Sequence, residues 1–182
     1  MNAVIRQGDW MQTATGGQFW PIDPRASEID INVIAHALSM QCRYAGHCIK
    51  FYSVAEHCVH MARFVSNPNK LWALLHDASE AYLVDVPRPL KPHLPGYYEA
   101  EKRVMEAVII KFDLAPIMPS EVKSADNRIL VDERAQNMVQ TGHQWVSDGL
   151  EPLGVILRYW SPEEAEIYFL DAFKKLIRGE AI

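Results

Sequence analysis

Apolar residues recur at helical spacing over most of the chain. Behind Asp30, the residues Ile31, Ile34, Ala35 and Leu38 fall on one face of a short helix that Asp30 caps. The spacing lapses from Gln41 to Tyr52, which reads as a loop. Ser53 and Glu56 then stand as a capping box, and the helix predicted behind them carries Val54, His57, Cys58 and Met61. Asn67 followed by Pro68 starts the next helix, whose stripe of Leu71, Leu74, Leu75 and Ala78 runs up to His76 and Asp77. Prolines at 87, 89, 92 and 95 exclude helix there and predict an ordered loop bearing Arg88, Lys91 and His93. Helical spacing resumes from Tyr97 to Phe112 through Val104, Val108 and Ile109. Ser120 is expected to cap a helix containing Asp126, Ile129, Leu130 and Arg134. Ser161, Pro162 and Glu164 form a second capping box; Leu170, Phe173 and Ile177 supply that helix's buried face, and Gly179 stops it.

Two stretches depart from this pattern. Near the N-terminus, Thr13, Thr15, Phe19 and Trp20 flank Gly16-Gly17, which predicts a small β-hairpin. Thr141 to Trp160 has no legible period. The expected fold is therefore all-α in class, a compact helical bundle with a small N-terminal β-hairpin. At 182 residues and 49% hydrophobic composition it suits one domain. Residues 1–30 form its arm, 31–137 its core and 138–182 its closing loop and helix.

A net charge of −5 argues against stable binding to nucleic acid, which needs a basic face. Cys42, Cys48 and Cys58 are odd in number and lack C-x-x-C spacing, so reduced thiols are expected. The opening MNAVIRQGDW lacks the pattern of a secretory leader, and no run approaches the ~18 apolar residues of a membrane helix. These features predict a cytoplasmic protein with no membrane partner.

The chemistry gathers in the helical middle. His57, the adjacent His76-Asp77 and the distant Asp126 are borderline and hard ligands that suit a divalent transition metal. Singly, each has an ordinary structural reading. Together they carry more, because His76 and Asp77 end an apolar run where an uncompensated carboxylate would be costly. Glu80, four residues after His76, would project from the same face of a continuing helix toward the metal's open side. Asp85 follows the helix end closely enough to return to that pocket. Arg43, Arg88 and Lys91 lie near these elements and are candidate phosphate contacts. Tyr44, Gly46 and His47 are candidates for the wall of a base pocket. His36 and His60 read as packing histidines.

The strings Ser53-Val54-Ala55-Glu56-His57, Leu74-Leu75-His76-Asp77-Ala78-Ser79-Glu80-Ala81, Asp85-Val86-Pro87 and Ala125-Asp126 resemble the H…HD…D signature of HD-superfamily phosphohydrolases. The similarity is greatest to bacterial 5′-deoxynucleotidases and to bacteriophage dNTP phosphohydrolases, including those that remove dATP. It covers roughly Ile31 to Asn137. The resemblance implies one divalent ion held by His57, His76, Asp77 and Asp126. It makes Glu80 and Asp85 the catalytic pair, and it puts Arg43 and Lys91 against the nucleotide.

Three functions stay open at this point. One is a triphosphohydrolase acting on a dNTP, dATP first; another is a 5′-deoxynucleotidase acting on a dNMP; the third is an inactive nucleotide-binding module. Cobalt, manganese or zinc is expected as the metal, with iron or nickel possible. Relatives of this kind are oligomeric, so a homo-oligomer, dimer or hexamer, is expected, in which Phe19 and Trp20 would complete a neighbouring subunit's site. The compartment would be a host's cytoplasm if the gene belongs to a phage.

Overall fold

The computed structural model describes residues 6–182; residues 1–5 of the expected arm and leader region lie outside the described residues. The fold is mostly helical. Strands β1 (Met11–Gln12) and β2 (Gln18–Phe19) pair antiparallel around a turn where Gly16 takes φ +82°. Among the described residues seven α-helices follow: α1 Ile31–Met40, α2 Val54–Phe64, α3 Lys70–Leu75, α4 Glu80–Leu83, α5 Tyr97–Phe112, α6 Ser120–Asn137 and α7 Pro162–Ile177. No helix among the described residues is long and apolar enough to cross a membrane.

The hairpin is held by Phe19, which is fully buried and stacks on Tyr82 with ring centroids 3.9 Å apart. Trp20 lies under the Arg6 guanidinium at 4.0 Å. Both aromatics are thus occupied within their own chain.

Helix α2 is the axis of the bundle. Every residue from Val54 to Ala62 is buried, and the helix packs against α1, α3, α6 and α7. A helix buried all round must satisfy its polar side chains internally. Ser53 caps it, accepting from the Glu56 N–H at 3.0 Å, but the return half of the expected capping box is absent. The fully buried Glu56 carboxylate instead accepts the N–H groups of Arg158, Tyr159 and Trp160 at 2.7, 3.0 and 2.7 Å. His60 adds a contact at 3.1 Å. Tyr159, at φ +56°, turns these successive amides onto one anion.

Three further expectations are corrected. The helix of His76 does not run on through Glu80: α3 ends at Leu75, and i−3 bonds such as Ala78 N–H to Leu75 C=O (3.0 Å) and Glu80 N–H to Asp77 C=O (2.9 Å) tighten the chain into a turn before α4. Ser120 is the first residue of α6 and caps nothing; Glu121 ties the helix start to Ser66 and Asn69 instead. Ile177 is exposed, and Ala165, Phe169, Ala172 and Phe173 form the buried face of α7. The Asp30 cap, the full capping box at Ser161 and the bounds of α5 match expectation.

Replacing Glu56 by alanine strips a buried carboxylate from three amide donors. Urea denaturation should show a loss on the order of 3 kcal/mol, with Glu56→Gln losing less. A loss within experimental error would mean that water serves those amides equally well.

Candidate metal centre

His57 comes from α2, His76 and Asp77 from the turn after α3, and Asp126 from α6. Their donor atoms converge. His57 Nε2 lies 3.3 Å from His76 Nε2 and 3.7 Å from both Asp77 Oδ2 and Asp126 Oδ1. His76 Nε2 is 3.2 Å from Asp77 Oδ2 and 4.0 Å from Asp126 Oδ1. Ligands about 2.1 Å from a common ion stand about 3.4 Å apart in a tetrahedral arrangement, so these separations suit a shared cation. Of the four predicted ligands, His57, His76 and Asp126 form a group able to hold a metal ion, with Asp77 Oδ2 beside both histidines. A second possible grouping is Cys58, His76 and Asp77. Cys58 Sγ sits 3.9 Å from His76 Nδ1, on the back of the ring, and burial pushes its thiol up to about 11.

The ring orientations follow from what each Nδ1 touches. His57 Nδ1 is 2.7 Å from Glu133 Oε1, and His76 Nδ1 is 2.7 Å from the Ala73 carbonyl. Both partners only accept, so both Nδ1 atoms carry hydrogen and both Nε2 atoms face the centre.

Glu133 was not singled out from the sequence. It lies two turns after Asp126 on α6, a spacing that puts both on one side of the helix. Its carboxylate also meets Arg43 Nε and Nη2, each at 3.3 Å, and accepts from the Tyr44 hydroxyl. Burial alone would raise its pKa, but Arg43 and His57 hold it down to about 2. Arg43 is itself buried, with Nη1 3.7 Å from Asp77 Oδ2. The structure therefore puts Arg43 beneath the ligands, and Tyr44 beside it.

The pocket is electrostatically hungry for positive charge. Burial works against a charged His76, yet Asp77 outweighs it and holds the imidazole well above its usual range. Around Asp126 Oδ2 stand Lys123 Nζ at 2.9 Å and the half-exposed Arg88 Nη2 at 3.8 Å. Lys123 is a second cation that sequence reasoning missed. The donor set of imidazole nitrogens and carboxylate oxygens fits a metal ion.

Glu80 is buried, and its Oε2 has no hydrogen-bond partner among the described residues. Burial, with Asp77 and Asp85 nearby, raises its pKa well above the usual range. Lys91 lies 3.5 Å from Glu80 Oε1 and 2.8 Å from Glu101 Oε1. The backbone between Glu80 and Asp85 is held by Gln41, also missed. Its Nε2 donates to the Glu80 carbonyl at 2.9 Å, and its Oε1 accepts the Asp85 N–H at 2.9 Å. Between them Val84 adopts φ +65°, ψ 153°, a conformation that a β-branched residue strongly disfavours. Tyr97 OH secures its carbonyl at 2.8 Å. Gly46 and His47 are exposed on the loop after Tyr44, and nothing lies within 4 Å of a Cβ built on Gly46.

Fold and site together define a helical protein with a buried histidine–carboxylate group able to hold a metal. Over 136 residues it is 39% identical to "Uncharacterized protein YfdR" of Escherichia coli (strain K12), a match covering 75% of this chain and 76% of that protein. The chain belongs to the YfdR family. It is also 33% identical over 126 residues to "Uncharacterized protein RCAP_rcc00048" of Rhodobacter capsulatus, covering 64% of each chain. No family model matches the chain.

Two substitutions separate holding the metal from arranging the residues around it. Glu133→Gln should weaken metal affinity about 10- to 100-fold in titration of the apo protein, because His57 loses a charged acceptor. Gln41→Leu should leave metal content unchanged while the chain from 80 to 85 loosens in hydrogen exchange. Unchanged affinity in the first, or unchanged exchange in the second, removes the role assigned.

Proposed function

We propose that this protein is a metal-dependent phosphohydrolase of the HD superfamily that acts on deoxynucleotides, hydrolysing a dNTP, dATP first, to the deoxynucleoside and phosphates. The observation that carries the reading is the convergence of His57, His76, Asp77 and Asp126 to within 3.2–4.0 Å for each histidine pairing, beside a buried and unpartnered Glu80 oxygen. The H…HD…D resemblance rests on these same residues and supplies the substrate class. Cobalt, manganese or zinc suits the mixed imidazole and carboxylate donors, with iron or nickel as alternatives.

A divalent ion, when bound, supplies Lewis acidity to a phosphoryl oxygen and acidifies water. The chain supplies the rest. Glu80, with its raised pKa, takes the proton from the attacking water, and Asp85 orients that water or protonates the leaving oxygen. Lys91 keeps the Glu80 carboxylate in place through its 3.5 Å contact. Arg88, half-exposed beside Asp126, meets the negative charge that builds on the phosphoryl oxygens. Tyr44, Gly46 and His47 border the space for the base.

A second reading, 5′-deoxynucleotidase activity on a dNMP, is favoured by one observation. Arg43 is committed to Glu133 and Asp77, and Lys91 to Glu101 and Glu80, which leaves Arg88 and the exposed Lys102 for any further phosphates. Assembly as a homo-oligomer, dimer or hexamer, and residence in the cytoplasm belong to the same proposal.

Chromatography of products from the four dNTPs, four dNMPs and matching ribonucleotides, with Co²⁺ or Mn²⁺, should reveal deoxynucleoside from one dNTP; turnover of dNMPs alone selects the second reading. Glu80→Gln should bind metal normally and lose at least about 100-fold in rate, whereas His76→Ala should lose both. The base must be deprotonated, so the parent's rate should fall as pH drops through a value above the ordinary carboxylate range. Metal binding with no turnover of any nucleotide would leave only a binding module.

A further inference from the structure

The loop that carries Arg43 and Tyr44 is pinned at both stems and unfavourable between them. On one side Cys42 forms an antiparallel bridge with Ser53, and the Arg43 N–H donates to the Tyr52 carbonyl at 2.9 Å. On the other, the Ile49 N–H donates to the Asn137 carbonyl at 2.8 Å, and the Lys50 backbone exchanges bonds of 2.9 and 3.0 Å with the Asn137 side chain. Between the stems Tyr44, Ala45 and Gly46 all take left-handed φ values, +58°, +51° and +79°. Two of the three are not glycine, so this run persists because its ends are fixed.

The two cysteines that flank this run face each other. Cys42 Sγ and Cys48 Sγ are 3.4 Å apart, and both thiols are partly exposed. Five residues separate them in sequence, a spacing that gave no signal of pairing. The third cysteine, Cys58, is fully buried on α2.

We propose that Cys42 and Cys48 form a reversible intramolecular disulfide, made by exchange with a small-molecule disulfide of the glutathione type, which staples the base of the Arg43–Tyr44 loop. Burial and the neighbouring Cys42 thiol push the Cys48 thiol up to about 11, which disfavours Cys48 as the first nucleophile. The Cys42 thiolate attacks one sulfur of oxidised glutathione and expels a glutathione thiolate, giving a mixed disulfide on Cys42. The Cys48 thiol loses its proton to solvent, attacks the Cys42 sulfur and expels the second glutathione thiolate. The two protein thiols are oxidised by two electrons, and oxidised glutathione is reduced to two thiols. Every proposed metal ligand sits outside the loop, so the staple acts first on Arg43 and Tyr44.

The chain carries a built-in assay for this pair, because trypsin cleaves after Arg43, between the two cysteines. The full-length protein is equilibrated in glutathione buffers from reducing to oxidising, free thiols are alkylated, and the denatured protein is digested and weighed. Peptides 26–43 and 44–50 should appear joined, with the loss of two hydrogens, and Cys58 should appear alkylated. In Cys48→Ser, Cys42 should instead stop at the mixed disulfide with glutathione. Amide exchange over residues 43–47 should slow several-fold in the oxidised parent and recover on reduction. A stable mixed disulfide on Cys42 of the parent, a bridge to Cys58 or to another chain, or loop exchange indifferent to oxidation would each overturn the proposal.

Discussion

A histidine can offer its Nε2 lone pair to a buried ion only if the hydrogen on its Nδ1 has a fixed acceptor, and the arrangement of this protein follows from meeting that requirement twice. His76 meets it with the carbonyl of Ala73, three residues earlier on α3. His57 sits in the middle of the most buried helix and has no such carbonyl free, so it uses Glu133 from α6. A carboxylate introduced there needs compensation of its own. Arg43 and Tyr44 provide it, and they reach Glu133 from a loop whose backbone turns left-handed to deliver them. One imidazole's tautomer thus propagates into the packing of α6 against α2 and into the conformation of residues 42–48.

The same logic explains the crowding of charge. Carboxylates gathered at one site repel, and more strongly where burial lowers the effective dielectric constant. Asp77, Asp126, Glu80 and Asp85 share one neighbourhood, and the cations around it are placed at its margins: Lys123 and Arg88 on Asp126, Lys91 on Glu80, Arg43 beneath Asp77. Lys123 and Arg88 are half-exposed and well screened. At the centre itself both Nε2 atoms face the Asp77 and Asp126 oxygens, which draw positive charge onto His76. A metal ion held by the histidine–carboxylate group would complete this distribution.

What the sequence discloses here is what local spacing controls. The Asp30 and Ser161 caps, the α5 stripe and the gathering of His57, His76 and Asp126 are legible because each depends on residues within a turn or two, or on a signature of such pieces. What it hides is set by contacts across long separations. Glu56 has the spacing of a capping-box partner, yet it reaches more than a hundred residues ahead to Arg158, Tyr159 and Trp160. Residues 141–160 show no period because their order is imposed from other elements: Asp132 accepts the Leu153 and Gly154 amides, Gln136 ties Val155 and Leu157, and Glu56 gathers the end. Glu133 was within reach, since its distance of seven residues from Asp126 is a helical repeat. Cys42 and Cys48 were not, because their contact depends on the loop's left-handed turn.

The break in the helix after Leu75 shows how a departure from the simplest reading can serve the site. A regular helix through Ser79 and beyond would carry Asp85 along its axis, and the chain would leave the pocket before that carboxylate could return to it. The i−3 bonds from 76 to 81 shorten the turn, and α4 lasts only from Glu80 to Leu83. Val84 then reverses the chain at φ +65°, at a conformational cost of order 1–3 kcal/mol. Such a residue stays in place only when its neighbours over-determine it. Gln41 fixes the carbonyl of Glu80 on one side and the amide of Asp85 on the other, and Tyr97 fixes the Val84 carbonyl between them. The segment that carries Glu80 and Asp85 is thereby held by restraints on its backbone, and Asp85 stays close enough to raise the Glu80 pKa. Strain at Val84 is the local consequence of that hold.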